Sequence, residues 1–271
     1  MIYASDLDQT LIYSLRSGRI DHIDTNMTSA ERIEEQVTSY ISNRTLSDLL
    51  AISAKLTFVP VTTRTIAQYR RIHIFQNDIQ PEYAVTSNGG NILINGEPDE
   101  EWNLSIQREV KTSSAPPEDV QAWFEQIANP QWVMKGSLCD GLFYSYLVHR
   151  DLIPEEPMME LVAKLQASGW STSIQGRKVY LVPTGVNKRD AVAHLKERLG
   201  KQFVIASGDS LLDQCLLDFA DQAIAPRHGE LFRQEEKMAS SKYTFTENSG
   251  IFAADEIVQY VHNILHAHAN K

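Results

Sequence analysis

Three short apolar runs in this chain each stop on a polar cluster, and that recurrence restricts the fold more than any single motif does. Ile2-Tyr3-Ala4-Ser5 runs into Asp6-Leu7-Asp8-Gln9-Thr10, residues 56–61 into Thr62-Thr63-Arg64-Thr65, and residues 202–206 into Ser207-Gly208-Asp209-Ser210-Leu211-Leu212-Asp213. Such runs read as buried strands, and strands that alternate with helices build an open, mostly parallel sheet. In sheets of that kind, ligands bind beyond the carboxyl ends of the strands.

Asp6 and Asp8 are one residue apart at the first of these ends. Two carboxylates so close repel unless a cation sits between them. Mg²⁺ suits, because it takes oxygen ligands and pairs one or two carboxylates with substrate phosphates. An aspartate can also accept a phosphoryl group as nucleophile. The plainer alternative is that both residues merely close a strand and cap the next element. At the second end, the Thr62 hydroxyl can donate to a phosphoryl oxygen and Arg64 can pair with an anion; Thr62 as a helix cap is an equal reading. At the third, Asp213 suits a helix N-terminus, whereas Asp209 directly after glycine has no such local purpose. Lys188 and Arg189 open a helix just after Gly185-Val186-Asn187. A cation there opposes the helix dipole by a few tenths to about 1 kcal/mol, a cost that makes sense if Lys188 faces an anion rather than solvent.

Residues 82–86 form a further short strand, closed by Ser87-Asn88-Gly89-Gly90, a sequence suited to a tight turn with positive φ. Beyond it the pattern changes. Asn95-Gly96 marks a hairpin, residues 117–128 a helix opening on its proline, residues 132–135 and 141–149 strands, residues 155–168 a helix, and residues 170–174 and 179–182 a hairpin with Arg177 and Lys178 at its tip. This order describes a small α+β domain with an antiparallel sheet, inserted into the alternating α/β frame. The chain therefore divides into 1–87, 88–183 and 184–271. Residues 11–45 are long and polar; residues 29–42 read as helical, and Thr45-Leu46-Ser47-Asp48 as a capped helix start.

The chain has 271 residues, 42 % hydrophobic and 22 % charged, with a net charge of −10. That charge argues against a nucleic-acid partner. A strand beginning at Ile2 leaves no room for a signal peptide, and no run is long enough to span a membrane, so the expected setting is cytoplasmic with Cys139 and Cys215 reduced. His262 and His266 stand four apart near the C-terminus, where solvated residues are commoner than ligands.

Taken together, Asp6-x-Asp8-x-Thr10, a strand ending in Thr62, Lys188 at a helix start and Gly208-Asp209-Ser210-x-x-Asp213 resemble the haloacid dehalogenase (HAD) superfamily, in its order and over the whole chain. An insertion between the second and third motifs resembles the type IIB cap subclass, which includes Cof-type and sucrose-phosphate phosphatases. The resemblance implies a Rossmann-like, mostly parallel sheet flanked by helices with an inserted C2B-type cap. It implies Asp6 as nucleophile, Asp8 as general acid and base, and Thr62 and Lys188 as phosphate ligands. Mg²⁺ would be held by Asp6, by the backbone carbonyl of Asp8 and by Asp209, with Asp213 a ligand or its support. Asn88 and Gly89 match a segment that approaches the substrate, and Arg64 would help. The activity this resemblance implies is Mg²⁺-dependent hydrolysis of a small phosphorylated metabolite of the sugar-phosphate kind; a phosphomutase or a non-catalytic phosphoester-binding protein of the same fold are the alternatives. Thr63, Leu212 and Pro226-Arg227-His228-Gly229 depart from the family pattern without removing a catalytic group.

Overall fold

The structure, a computed structural model, describes residues 1–20, 25–235 and 242–269. The chain forms two compact units, Met1–Pro98 with Lys188–Lys271, and Asp99–Asn187.

The first unit is built on a five-stranded parallel sheet in the order Thr244–Phe245, Gln222–Ala225, Val204–Ser207, Ile2–Ser5, Thr57–Pro60. Ile2–Ser5 and Val204–Ser207 are buried at every position. Helices cover both faces, which is why these strands are continuous apolar runs and not alternating ones. On one face, Leu49 and Ile52 of helix Asn43–Ser53 and Ile257, Val258 and Val261 of helix Ile251–Ala269 pack with Tyr3, Phe58 and Ile205. Asp255 ties the two helices together by accepting from Ser42 and, at 2.6 Å, from Thr45.

The helix expected over residues 29–42 is instead an antiparallel hairpin, Met27–Ile33 paired with Gln36–Ser42 and turning through Glu34 at φ 54°. Its second arm carries Val37, Thr38, Tyr40 and Ile41, residue types that pack better on a pleated surface than along a helix. The next helix begins at Asn43, earlier than the expected cap, because Ser42 accepts from the Thr45 amide at 2.9 Å. Residues 21–24 of the long polar segment lie outside the described residues.

The hairpin on Asn95-Gly96 also belongs to this unit. Asn95 and Gly96 turn at φ 50° and 83°, and Asn91–Ile94 folds back onto Tyr83–Thr86. The joints between units therefore fall at 98/99 and 187/188, against the expected 87/88 and 183/184.

The second unit is a four-stranded antiparallel sheet in the order Trp170–Gln175, Lys178–Pro183, Phe143–Val148, Val133–Cys139. Helices Pro117–Glu125 and Glu155–Ala167 lay Val120, Phe124, Met158, Leu161 and Leu165 on it. A further helix, Glu100–Ser113, has no counterpart among the elements expected from the sequence. It buries only Trp102 and Ile106, so its apolar stripe is thin, and Asp99 caps it. The chain passes close behind it at Gly169. There φ is +76°, and a Cβ would lie 2.1 Å from the Ser113 carbonyl oxygen, so only glycine fits.

Cys139 and Cys215 are free thiols. Among the described residues no helix is long and apolar enough to cross a membrane.

Candidate active site

Asp6 leaves the strand Ile2–Ser5 with its amide bonded to the Ser207 carbonyl at 2.9 Å, so the first and third acid-bearing strand ends are neighbours. The chain then turns sharply. The Leu7 carbonyl accepts from the amides of Thr10, Leu11 and Ile12, and Gln9 sits at φ 66°. The turn puts the Thr10 hydroxyl 3.1 Å from Asp6 Oδ2. Asp6 Oδ1 accepts from Lys188 Nζ at 2.7 Å, and the same ammonium donates to Asp213 Oδ1 at 2.5 Å.

Lys188 is wholly buried, the first residue of helix Lys188–Arg198. Burial disfavours its charge, but Asp213 and Asp6 outweigh that and hold its pKa above the usual lysine value. Two of its three N–H groups are spent on these carboxylates. Asp213 is held in turn, since its Oδ2 accepts from the Ser210 amide at 3.0 Å and hydroxyl at 2.7 Å. Gly208 permits this arrangement: a Cβ there would lie 2.4 Å from the Asp213 side chain.

Asp209 completes the cluster. Carboxylate oxygens of Asp6, Asp209 and Asp213 all lie within 4.8 Å of one another. Asp209 is 8 % exposed, and among the described residues nothing donates to its carboxylate. Its backbone carbonyl is fixed by the amides of Glu230 and Leu231 at 2.7 and 3.2 Å. Burial, then the charges of Asp6 and Asp213, push its pKa well up against the opposing pull of Lys188. Burial likewise drives Asp6 up to about 7, with Lys188 opposing and Asp213 and Asp8 reinforcing. Fully ionised, three carboxylates against one ammonium would carry two net negative charges in a buried place, which burial and mutual repulsion resist; a hard divalent cation with oxygen ligands fits that excess.

The side chain of Asp8 is not in this cluster. It is half-exposed and receives a two-pronged contact from Arg64, Nε to Oδ2 and Nη2 to Oδ1, both 2.8 Å. Arg64 is also spent elsewhere. Nη2 reaches Glu31 Oε2 at 3.0 Å, and Nη1 reaches Glu31 Oε1 at 2.8 Å and the Gln68 carbonyl at 3.5 Å. With every guanidinium nitrogen engaged, Arg64 holds protein carboxylates rather than standing ready for a substrate anion as its position in the sequence suggests.

Thr62 is buried on the neighbouring strand end. Its hydroxyl accepts from the Arg64 amide at 3.2 Å, which leaves its own proton to donate. Its carbonyl accepts from the Asn88 amide at 3.0 Å. Ser87, Asn88 and Gly89 all have positive φ (53°, 58° and 101°) in a buried turn packed against helix Lys188–Arg198. Arg177 and Lys178 lie on an exposed hairpin of the second unit. His262 and His266 bring Nε2 atoms within 2.6 Å on an exposed helix face, with no third ligand among the described residues.

Two residues of the site were missed by sequence reasoning. Glu31 is a buried acid in a polar segment that reads as helical. His228 lies in the Pro226-Arg227-His228-Gly229 stretch, noted only as a departure. Its Nε2 meets the Gln9 carbonyl at 2.9 Å, and its Nδ1 accepts the Gly250 amide at 3.1 Å, which assigns the proton to Nε2 and props the loop between Asp8 and Thr10. Neither has a local sequence signal, because both act through contacts distant in the chain.

The solved structures similar to this one agree on the architecture. The sucrose-phosphatase from Synechocystis sp. PCC6803, solved with sucrose and phosphate, is 15% identical over 97% of each chain with a TM-score of 0.69. A subclass IIB sugar phosphatase of the HAD superfamily is 14% identical over 97% of this chain and 99% of its own, with a TM-score of 0.64. A trehalose-6-phosphate phosphatase related protein is 17% identical over the whole of both chains, with a TM-score of 0.56. No curated protein sequence matches the chain. The family model described as sucrose-6F-phosphate phosphohydrolase matches residues 1–257. That model spans most of the chain, and the chain belongs to the family it describes.

Proposed function

We propose that the protein is a Mg²⁺-dependent sugar-phosphate phosphatase that works through an aspartyl-phosphate on Asp6. The observation that carries this reading is the buried cluster of Asp6, Asp209 and Asp213, with Lys188 bonded to Asp6 and Asp213, a geometry that makes chemical sense around a cation and a phosphoryl group.

Asp6 Oδ is the nucleophile. It forms a bond to phosphorus as the bond from phosphorus to the sugar oxygen breaks, and Asp8, which must first take up a proton on an oxygen that Arg64 grips in the substrate-free chain, gives that proton to the departing oxygen. Asp8, now a carboxylate, then takes a proton from water as the water attacks the phosphoryl group, releasing phosphate and restoring Asp6. The third N–H of Lys188 and the Thr62 hydroxyl are donors for the phosphoryl oxygens. Asp6, Asp209 and the Asp8 carbonyl would hold Mg²⁺, with Asp213 keeping Lys188 and the Ser210 loop in place. When bound, the ion supplies positive charge against the equatorial oxygens and relieves the repulsion among the acids. Asn88 and Gly89 are candidates for substrate contact through the buried turn they share. A sucrose phosphate is the first substrate to try, given the family.

The test is phosphate release across a panel of sugar phosphates, sucrose 6F-phosphate included, with and without EDTA. Wild type is expected to turn over at least one sugar ester only with Mg²⁺, and Asp6→Asn none. Equal release by Asp6→Asn, or indifference to EDTA, overturns the reading.

A further inference from the structure

Glu31 has no place in the phosphoryl-transfer scheme, yet it is built like a working residue. It is 3 % exposed. Its strand is irregular in register on both sides of it, between Ser29 and Glu31 and between Glu31 and Arg32. Such a bulge re-aims a side chain. The carboxylate is then met from several directions: Arg64 at 2.8 and 3.0 Å, Arg71 Nε at 3.1 Å, Thr38 Oγ1 at 3.0 Å and Ser39 Oγ at 3.3 Å. Those bonds fix Glu31, and Glu31 fixes one edge of the Arg64 guanidinium.

The other edge of that guanidinium carries Asp8. A long arginine side chain has several rotatable bonds, and a half-exposed Asp8 alone would not choose one orientation for it. Because the guanidinium is planar, gripping one edge sets where the other edge points. Arg64 is thus the one residue that links Glu31 to the Asp8 carboxylate. The hairpin that bears Glu31 comes after the Asp8 loop in the chain, and Tyr13 pairs with Tyr40 to join them.

We propose that Glu31 is a positioning residue for the reaction, holding Asp8 through Arg64 where Asp8 meets the leaving-group oxygen. The inference rests on the reading of Asp8 as the acid. An ion pair that merely anchors the hairpin is the competing account, and the two differ in a measurable way. A sugar leaves as an alcohol and needs a proton as it departs. Nitrophenolate is a weak base and departs without one.

The experiment compares kcat/KM, which covers the steps through leaving-group departure, for 4-nitrophenyl phosphate and for the sugar phosphate turned over fastest in the panel. Glu31→Gln, of the same shape, is expected to lower the value for the sugar phosphate by about tenfold or more and that for 4-nitrophenyl phosphate by no more than about twofold. An equal fall on both substrates, or no fall on either, overturns the proposal. If Glu31→Gln does not fold, Arg64→Lys is read by the same two outcomes. Asp8→Asn is measured alongside. Selective loss in Asp8→Asn but not in Glu31→Gln overturns the role of Glu31 alone, and no selectivity in Asp8→Asn overturns the acid assignment and this inference with it.

Discussion

Lys188 keeps its proton in a place water does not reach because two carboxylates accept from it at 2.7 and 2.5 Å. Removing one charge from such a group has opposite consequences depending on its sign. Lys188→Met strands three buried carboxylates and is expected to cost about 3–5 kcal/mol in urea unfolding. Asp209→Asn removes the acid to which nothing among the described residues donates and which both Asp6 and Asp213 repel. In EDTA that variant is expected to melt a few degrees above wild type, while losing catalysis. Mg²⁺ should then raise the melting temperature of wild type and leave Asp209→Asn nearly unmoved, since an ion that binds the folded state stabilises it by mass action. A metal-free Asp209→Asn that melts at or below wild type shows that the acid cluster is not under repulsive strain.

The elements that were legible in the sequence are those whose pattern is local. Ile2–Ser5, Thr57–Pro60 and Val204–Ser207 read as buried strands because nothing polar interrupts them, and the acids of the site stand at their ends, where the sheet architecture puts ligands. Lys188 could be noticed only because it offends the dipole of its own helix. Hairpin Met27–Ile33 and Gln36–Ser42 was not legible: its bulge at Glu31 breaks the period-2 alternation, and Glu31 is inward because Arg64 and Arg71, far later in the chain, neutralise it. Helix Glu100–Ser113 was missed because two buried side chains make too thin a stripe to be seen. The hairpin's attachment has a pH signature. Burial alone would raise the Glu31 pKa, but its bonds and charge contacts with Arg64, then Thr38 and Arg71, bring it below its ordinary 4.5. A carboxyl depressed in the folded state binds fewer protons there than when unfolded, so its stabilisation is complete above 4.5 and is lost as pH falls through the folded value. The stability difference between wild type and Glu31→Gln, read from urea midpoints, should therefore be constant from about pH 7 to about 5 and shrink below 4.5. A difference that persists unchanged into acid places the stabilisation in packing and not in the charge.

At the scale of the whole molecule, the division of labour comes from which residues share a unit. Asp6, Asp8, Thr62, Arg64, Lys188, Asp209 and Asp213 all belong to Met1–Pro98 with Lys188–Lys271. Asn88 and Gly89, expected from the sequence in the insertion, belong there too, because the Asn91–Ile94 strand pairs back onto Tyr83–Thr86. Each unit has a core of its own: Tyr3, Phe58, Ile205 and Val258 are among the first, and Phe124, Trp132, Leu165 and Trp170 among the second. A buried cluster that draws on one core should outlast loss of the other. Replacing residues 99–187 by a short Gly/Ser linker is therefore expected to leave a protein that melts cooperatively and hydrolyses 4-nitrophenyl phosphate with Mg²⁺, with Asp6→Asn in the same background abolishing the turnover. Calorimetry and nitrophenol release check the two halves of the prediction. A shortened chain that melts cooperatively yet releases no nitrophenol would mean that the insertion contributes to the chemical step itself, and the assignment of every reacting group to the first unit would have to be given up.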